Sequence, residues 1–66
     1  MKYYIFKYHA SRGAELYWTG NFSSVTDDPL ASVNTKPAIC FDSAREAYNV
    51  AGEYLRLQWW KVGKRR

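Results

Sequence analysis

Apolar positions follow a strand-like period at the start of this chain and a helical period near its end. Lys2 to His9 holds Tyr3, Tyr4, Ile5, Phe6 and Tyr8 with no glycine or proline, which predicts a strand. Ser11-Arg12-Gly13-Ala14 reads as a turn, and Glu15 to Thr19 as a second strand closed by Gly20-Asn21. Strands so close in sequence predict an antiparallel hairpin. Residues 23–37 collect Ser23, Ser24, Asp27, Asp28, Pro29, Asn34 and Pro37 and read as a loop. Within it, Asp28-Pro29 suits the start of a single helical turn, with Asp as cap and Pro in first position. Ala38 to Phe41 predicts a short third strand.

Ser43-Ala44-Arg45-Glu46 fits a capping box, in which serine and glutamate satisfy exposed backbone N–H groups reciprocally. Ala44, Ala47, Tyr48, Ala51, Tyr54 and Leu55 then recur at helical spacing, with Arg45, Glu46, Asn49, Glu53 and Arg56 on the other side. A helix is predicted over Ala44 to Leu57, in spite of Gly52. Trp59-Trp60-Lys61-Val62 reads as a fourth strand, and Lys64 to Arg66 as its frayed end. The fold class is α+β: a small, antiparallel-rich sheet with one helix on one face, in the order β-β-β-α-β.

One helix covers one face of a sheet, so strand alternation sorts the side chains. Tyr4, Phe6 and Tyr8 are wholly aromatic and are expected to face the helix, with Tyr3, Ile5, Lys7 and His9 outward. Leu16 and Trp18 are assigned inward; Glu15, Tyr17 and Thr19 outward. In the last strand Trp60 and Val62 go inward, Trp59 and Lys61 outward. The outer face then carries Tyr3, Ile5, Tyr17 and Trp59 interleaved with Lys7, His9 and Lys61, a mixture of aromatic and basic residues typical of interface anchors. Tyr3, Ile5, Lys7, Tyr17, Trp59 and Lys61 are the contact residues it offers a partner. Three readings follow: a protein-binding surface, a platform stacking single-stranded nucleic acid, or a second core formed when the 23–37 loop folds over.

Length bounds these readings. Sixty-six residues make one domain, residues 1–66, and a chain this short buries only about 60% of its unfolded surface. Aromatics, at 18%, are a compact way to build its core. Exposed aromatics on an undersized domain also favour a homodimer, through the outer face or an edge strand. The formal net charge of +4 comes entirely from Lys61, Lys64, Arg65 and Arg66, since residues 1–60 hold six basic and six acidic groups. If nucleic acid is the ligand, those four residues supply the phosphate contacts. Their confinement to one end argues against a broad phosphate-binding face.

No apolar run reaches the about 18 residues of a membrane span, and charge interrupts the N-terminus too early for a signal peptide. A cytoplasmic protein is expected. His9, Cys40 and Asp42 are the raw materials of a thiol nucleophile. However, Cys40 between Ile39 and Phe41 reads as a buried packing residue, Asp42 as a helix-start acid, and His9 as solvated near a hairpin tip. Asp27-Asp28 lacks the Gly-spaced partners of a calcium loop. No catalytic residue, metal site or cofactor is expected.

Trp18-Thr19-Gly20, Phe41-Asp42-Ser43-Ala44-Arg45-Glu46-Ala47 and Trp60-Lys61-Val62 together resemble a loose class of small phage and prophage accessory proteins. In that class a hairpin ending in Trp-x-Gly precedes a short strand, a helix entered by Phe-x-Ser-x-x-Glu-Ala and a closing strand with Trp-x-Val. The 23–37 loop is longer than the class implies. The resemblance implies a stoichiometric binder that disables a host protein, anti-CRISPR inhibitors among them, and assigns no residue a role.

Overall fold

The computed structural model describes residues 1–66. Its elements are β1 (Lys2–His9), a 3-10 turn (Ala10–Arg12), β2 (Ala14–Phe22), β3 (Pro29–Ser32), α1 (Ala44–Glu53), a second 3-10 turn (Leu55–Leu57) and β4 (Lys61–Arg65). The strands form one antiparallel sheet in the order β3-β2-β1-β4, with α1 against β1 and β4. The α+β class and the β-β-β-α-β order agree with the sequence pattern. No helix is long and apolar enough to cross a membrane.

The hairpin sets which side chains share a face. His9 pairs with Ala14, so residues 10–13 form its loop, with Gly13 left-handed at φ 62. That register places Phe6 opposite Tyr17 and Lys7 opposite Leu16. Trp18 lies under the helix, so Ile5 lies there too, in one core with Ala47, Ala51 and Leu57. The sequence-based orientation of β1 is therefore inverted: Tyr3, Ile5 and Lys7 lie on the helix side, and Tyr4, Phe6 and Tyr8 on the other. Both sides of β1 are largely apolar, so its own alternation does not choose between them. Hairpin register does. Ala47 and Ala51 also bring α1 close to the sheet, which suits Ile5 better than a row of rings.

The opposite face is a second core. Tyr4, Phe6 and Tyr17 are buried together with Ala38 packed against them. Tyr17 meets Tyr4 edge-on at 5.7 Å between centroids and Phe6 at 5.9 Å. After β3 the chain passes over this face: Thr35 donates its hydroxyl to the Arg66 carbonyl at 3.2 Å, and Ala38 packs on the rings. It then enters the fork where β1 and β2 diverge. Ile39 N–H donates to Trp18 O at 3.1 Å, and Tyr3 and Phe41 exchange backbone bonds of 2.9 and 2.8 Å. The coverage expected of the 23–37 loop is met only in part: Pro29–Ser32 pairs as a strand at the sheet edge, and Thr35 and Ala38 are what reach this face.

Several boundaries differ from those predicted. The third strand is Pro29–Ser32, because β2 runs on to Phe22 and offers a free edge; Ala38 to Phe41 contributes only the Tyr3 bridge. Asp28-Pro29 starts that strand instead of a helical turn, after a turn closed by Ser23 N–H to Asp28 O and Asp27 N–H to Ser23 O. Ser43 caps α1 by accepting from Glu46 N–H at 3.2 Å. The helix ends at Glu53, next to Gly52, and Tyr54 turns extended to pack its ring on Trp18 and Phe22. The 3-10 turn then drops Leu57 into the core. Trp59 and Trp60 lie in the turn before β4, and Lys64 and Arg65 belong to the strand instead of fraying.

Candidate functional site

β4 carries most of the residues singled out by charge, and the fold separates them into two sets. Arg65 is structural. Its guanidinium crosses β1, lies 4.4 Å from the Phe6 ring centre, and grips Glu15 of β2 through Nε–Oε1 at 3.1 Å and Nη2–Oε2 at 2.9 Å. Tyr17 donates its hydroxyl to the same carboxylate at 3.0 Å. This bidentate strap ties three strands across the outer face. Hydrogen bonds from Arg65 hold the Glu15 carboxyl below its ordinary pKa, against the opposing effect of burial. Burial, and then donation to Glu15, raises Tyr17. Hydrogen bonding to Glu15 likewise raises Arg65. As a phosphate contact Arg65 would first have to leave Glu15.

Lys61, Lys64 and Arg66 form the second set and are less constrained. Lys61 and Lys64 are exposed on opposite faces of β4, with the Lys64 ammonium 5.5 Å from the Tyr3 ring centre; Arg66 follows the strand and is also exposed. Two other surface cations are occupied: Lys2 pairs with Asp42, and Arg56 pairs with Asp27 while lying 4.4 Å from the Phe22 ring centre. Hydrogen bonding between Lys2 and Asp42 raises the lysine and lowers the acid.

The turn before β4 is the most exposed apolar feature of the sheet's end. Trp59 is 88% exposed and Leu55, on the preceding 3-10 turn, is 74% exposed. Their neighbours hold the turn in place: Leu57 is fully buried, Trp60 packs on the core, and Trp60 N–H donates to Leu57 O at 3.0 Å. The Lys7 ammonium lies 5.3 Å from the Trp60 ring centre. Lys7 thus reaches Trp60 from the helix side, while Trp59 and Lys61 flank it in sequence and Lys61, opposite Phe6, stands on the other face. The other three predicted contact residues do not join them. Ile5 is 0% exposed in the core, Tyr17 is buried beneath the strap, and Tyr3 is half-buried under the helix side. The exposed Leu55 escaped the sequence reading because helical spacing placed it on the core side of a longer α1.

The thiol-chemistry candidates are dispersed. His9 ends β1, half-buried, with Nδ1 3.2 Å from the Ser11 hydroxyl. Cys40 adjoins Phe41, the bridge partner of Tyr3 near the other end of β1; the six extended steps from Tyr3 to His9 span about 20 Å. Cys40 is exposed, contrary to its expected burial, because the segment carrying it bridges at the sheet's fork without entering it as a strand. Asp42 pairs with Lys2, and Ser43 holds the cap. No three His, Cys, Asp or Glu side chains converge, and the surface has no concave pocket.

No family model, curated protein or solved structure matches the chain.

Proposed function

We propose that this protein is a small non-enzymatic binder of the phage accessory type, an inhibitor or adaptor that occupies a surface on a host protein in the bacterial cytoplasm. A defence complex of the kind targeted by anti-CRISPR proteins is the leading class of target. The observation that carries the reading is the exposed Trp59–Leu55 corner on a turn whose neighbours are locked into the core. A rigidly presented tryptophan flanked by lysines is the composition of an interface hot spot. The phage-type motifs favour a host target. The contact surface proposed is accordingly Trp59, Leu55, Lys7 and Lys61, without Tyr3, Ile5 and Tyr17.

A second reading, a module for single-stranded nucleic acid, is favoured by the exposed Lys61, Lys64 and Arg66 that run along β4 from the Trp59 turn. One experiment separates the two. The protein is used to capture partners from a bacterial lysate with and without nuclease, and a retained protein is then purified and titrated. The lead reading expects a nuclease-resistant protein whose binding falls by about 2 kcal/mol or more with Trp59→Ala. Loss of every partner to nuclease, or full binding by Trp59→Ala, overturns it.

A further inference from the structure

We infer that the free edge of β4 accepts an extended, acidic segment of the partner protein as an added fifth strand that reaches the Trp59 corner. This rests on the protein-binding reading above and names how such a partner is held.

The sheet has two edges, and they differ. β3 is four residues long, starts with Pro29, and pairs with β2 through an irregular register. Short length, proline and irregularity all blunt an edge against further pairing. β4 is one residue longer and has neither the proline nor the irregularity. Its five residues pair with β1 in unbroken register, from Lys61 opposite Phe6 to Arg65 opposite Lys2.

The outward groups of β4 follow from the ladder. Tyr3 exchanges both backbone bonds with Phe41, on the β2 side of β1. Alternate residues of an antiparallel strand serve opposite neighbours, so Lys2, Tyr4 and Phe6 serve β4 through Arg65, Gly63 and Lys61. The N–H and C=O groups of Val62 and Lys64 therefore point away from the sheet. Lys64 O also accepts from Arg65 Nη1 at 2.6 Å, and a carbonyl oxygen has a second lone pair to offer.

Charge selects the occupant. Lys61 and Lys64 stand on opposite faces of β4 with no carboxylate paired to either; Asp27, Asp42 and Glu15 are paired to other cations. A strand laid on this edge puts its side chains beside these lysines whichever face they take, so acidic residues are favoured on both. A second copy of β4 would instead bring like charges into register, which opposes self-pairing. Phosphates only accept hydrogen bonds, so they leave the outward carbonyls of Val62 and Lys64 without donors. A peptide backbone answers both.

The test uses a blocked alternating glutamate–valine octapeptide, its lysine–valine counterpart, and a fully N-methylated glutamate–valine version that keeps the charge but cannot pair. Each is titrated into the whole protein by NMR. Saturable binding of the first alone is expected, with the largest shifts at the Val62 and Lys64 amides. Lys61→Glu with Lys64→Glu should weaken it about 10-fold or more, and the milder Lys61→Gln with Lys64→Gln serves if the reversal disturbs the fold. The inference is overturned by an unbound glutamate–valine peptide, equal binding of the N-methylated peptide, shifts centred elsewhere, or binding indifferent to both lysine pairs. It is equally overturned if oligothymidylate occupies the same amides more tightly, or if sedimentation shows copies pairing through β4. Failure here with Trp59-dependent capture of a protein intact removes only the added strand. Loss of that capture removes the reading beneath it.

Discussion

Replacing Gly63 by alanine tests how tightly the outer face is packed, because two effects of opposite sign meet there. Alanine is favoured over glycine inside a strand by about 0.5–1 kcal/mol, since less backbone entropy is lost on folding. Against this, a Cβ on Gly63 would stand 2.8 Å from Phe6 Cε1 and 3.1 Å from Arg65 Nη1. Carbon atoms prefer about 3.5–4.0 Å, so the Phe6 ring must retreat by roughly 0.7 Å or more. It has little freedom, being buried with Tyr17 beside it and the Arg65 guanidinium at 4.4 Å. Overpacking of this kind costs about 1–3 kcal/mol. The second effect wins, and Gly63→Ala should destabilise by about 1 kcal/mol, lowering Tm by about 4–8 °C in a domain this small. Gly52→Ala is the control. A Cβ at that helical position meets nothing within 4 Å, so the substitution should stabilise by up to about 1 kcal/mol. Thermal and urea unfolding followed by circular dichroism would measure both. Shortening the obstacle with Phe6→Leu should remove most of the Gly63→Ala penalty. A Gly63→Ala protein as stable as the wild type would refute the packing described for this face.

Glu15 contributes stability through its depressed pKa, so that contribution is present above the ordinary glutamate value, about 4.3, and is lost as pH falls through the folded value. Urea midpoints of wild type and Glu15→Gln should converge on acidification, and parallel profiles would exclude a role for the strap. With both side chains about one-third exposed, the Arg65–Glu15 coupling in a double-mutant cycle should be about 1 kcal/mol. Ser43→Ala should cost about 1 kcal/mol by removing the cap on α1, read from the same unfolding curves. Leu57→Ala should cost about 2–5 kcal/mol, whereas Leu55→Ala and Trp59→Ala should stay within about 0.5 kcal/mol of wild type. A large stability loss at Trp59 would show that its side chain packs against the fold.

The class of fold was legible in the chain because each element carries its own local cause. β1 is an unbroken run of β-favouring residues, Gly13 suits the left-handed corner of the hairpin, and Ser43 with Glu46 marks where α1 begins. The inward assignments of Leu16, Trp18, Trp60 and Val62 also agree with their places beneath or beside the helix. What eluded local pattern depends on partners distant in sequence. β1 is apolar on both sides, so only its pairing with β2 could send Ile5 to the helix and Phe6 to the opposite face. β3 has weak strand character of its own and exists because β2 offers it an edge. Arg65 read as a free basic residue, yet its charge is spent on a glutamate 50 positions away, a pairing that only the side-by-side order of β2, β1 and β4 makes possible. By the same logic the face opposite the helix closed into a second core of Tyr4, Phe6 and Tyr17, and of the residues assigned to that face from alternation only Tyr17 lies in it. The residues left at the surface, Trp59, Leu55 and the outer edge of β4, were decided by how the helix ends and where the sheet stops, since burial depends on what else the folded chain brings near.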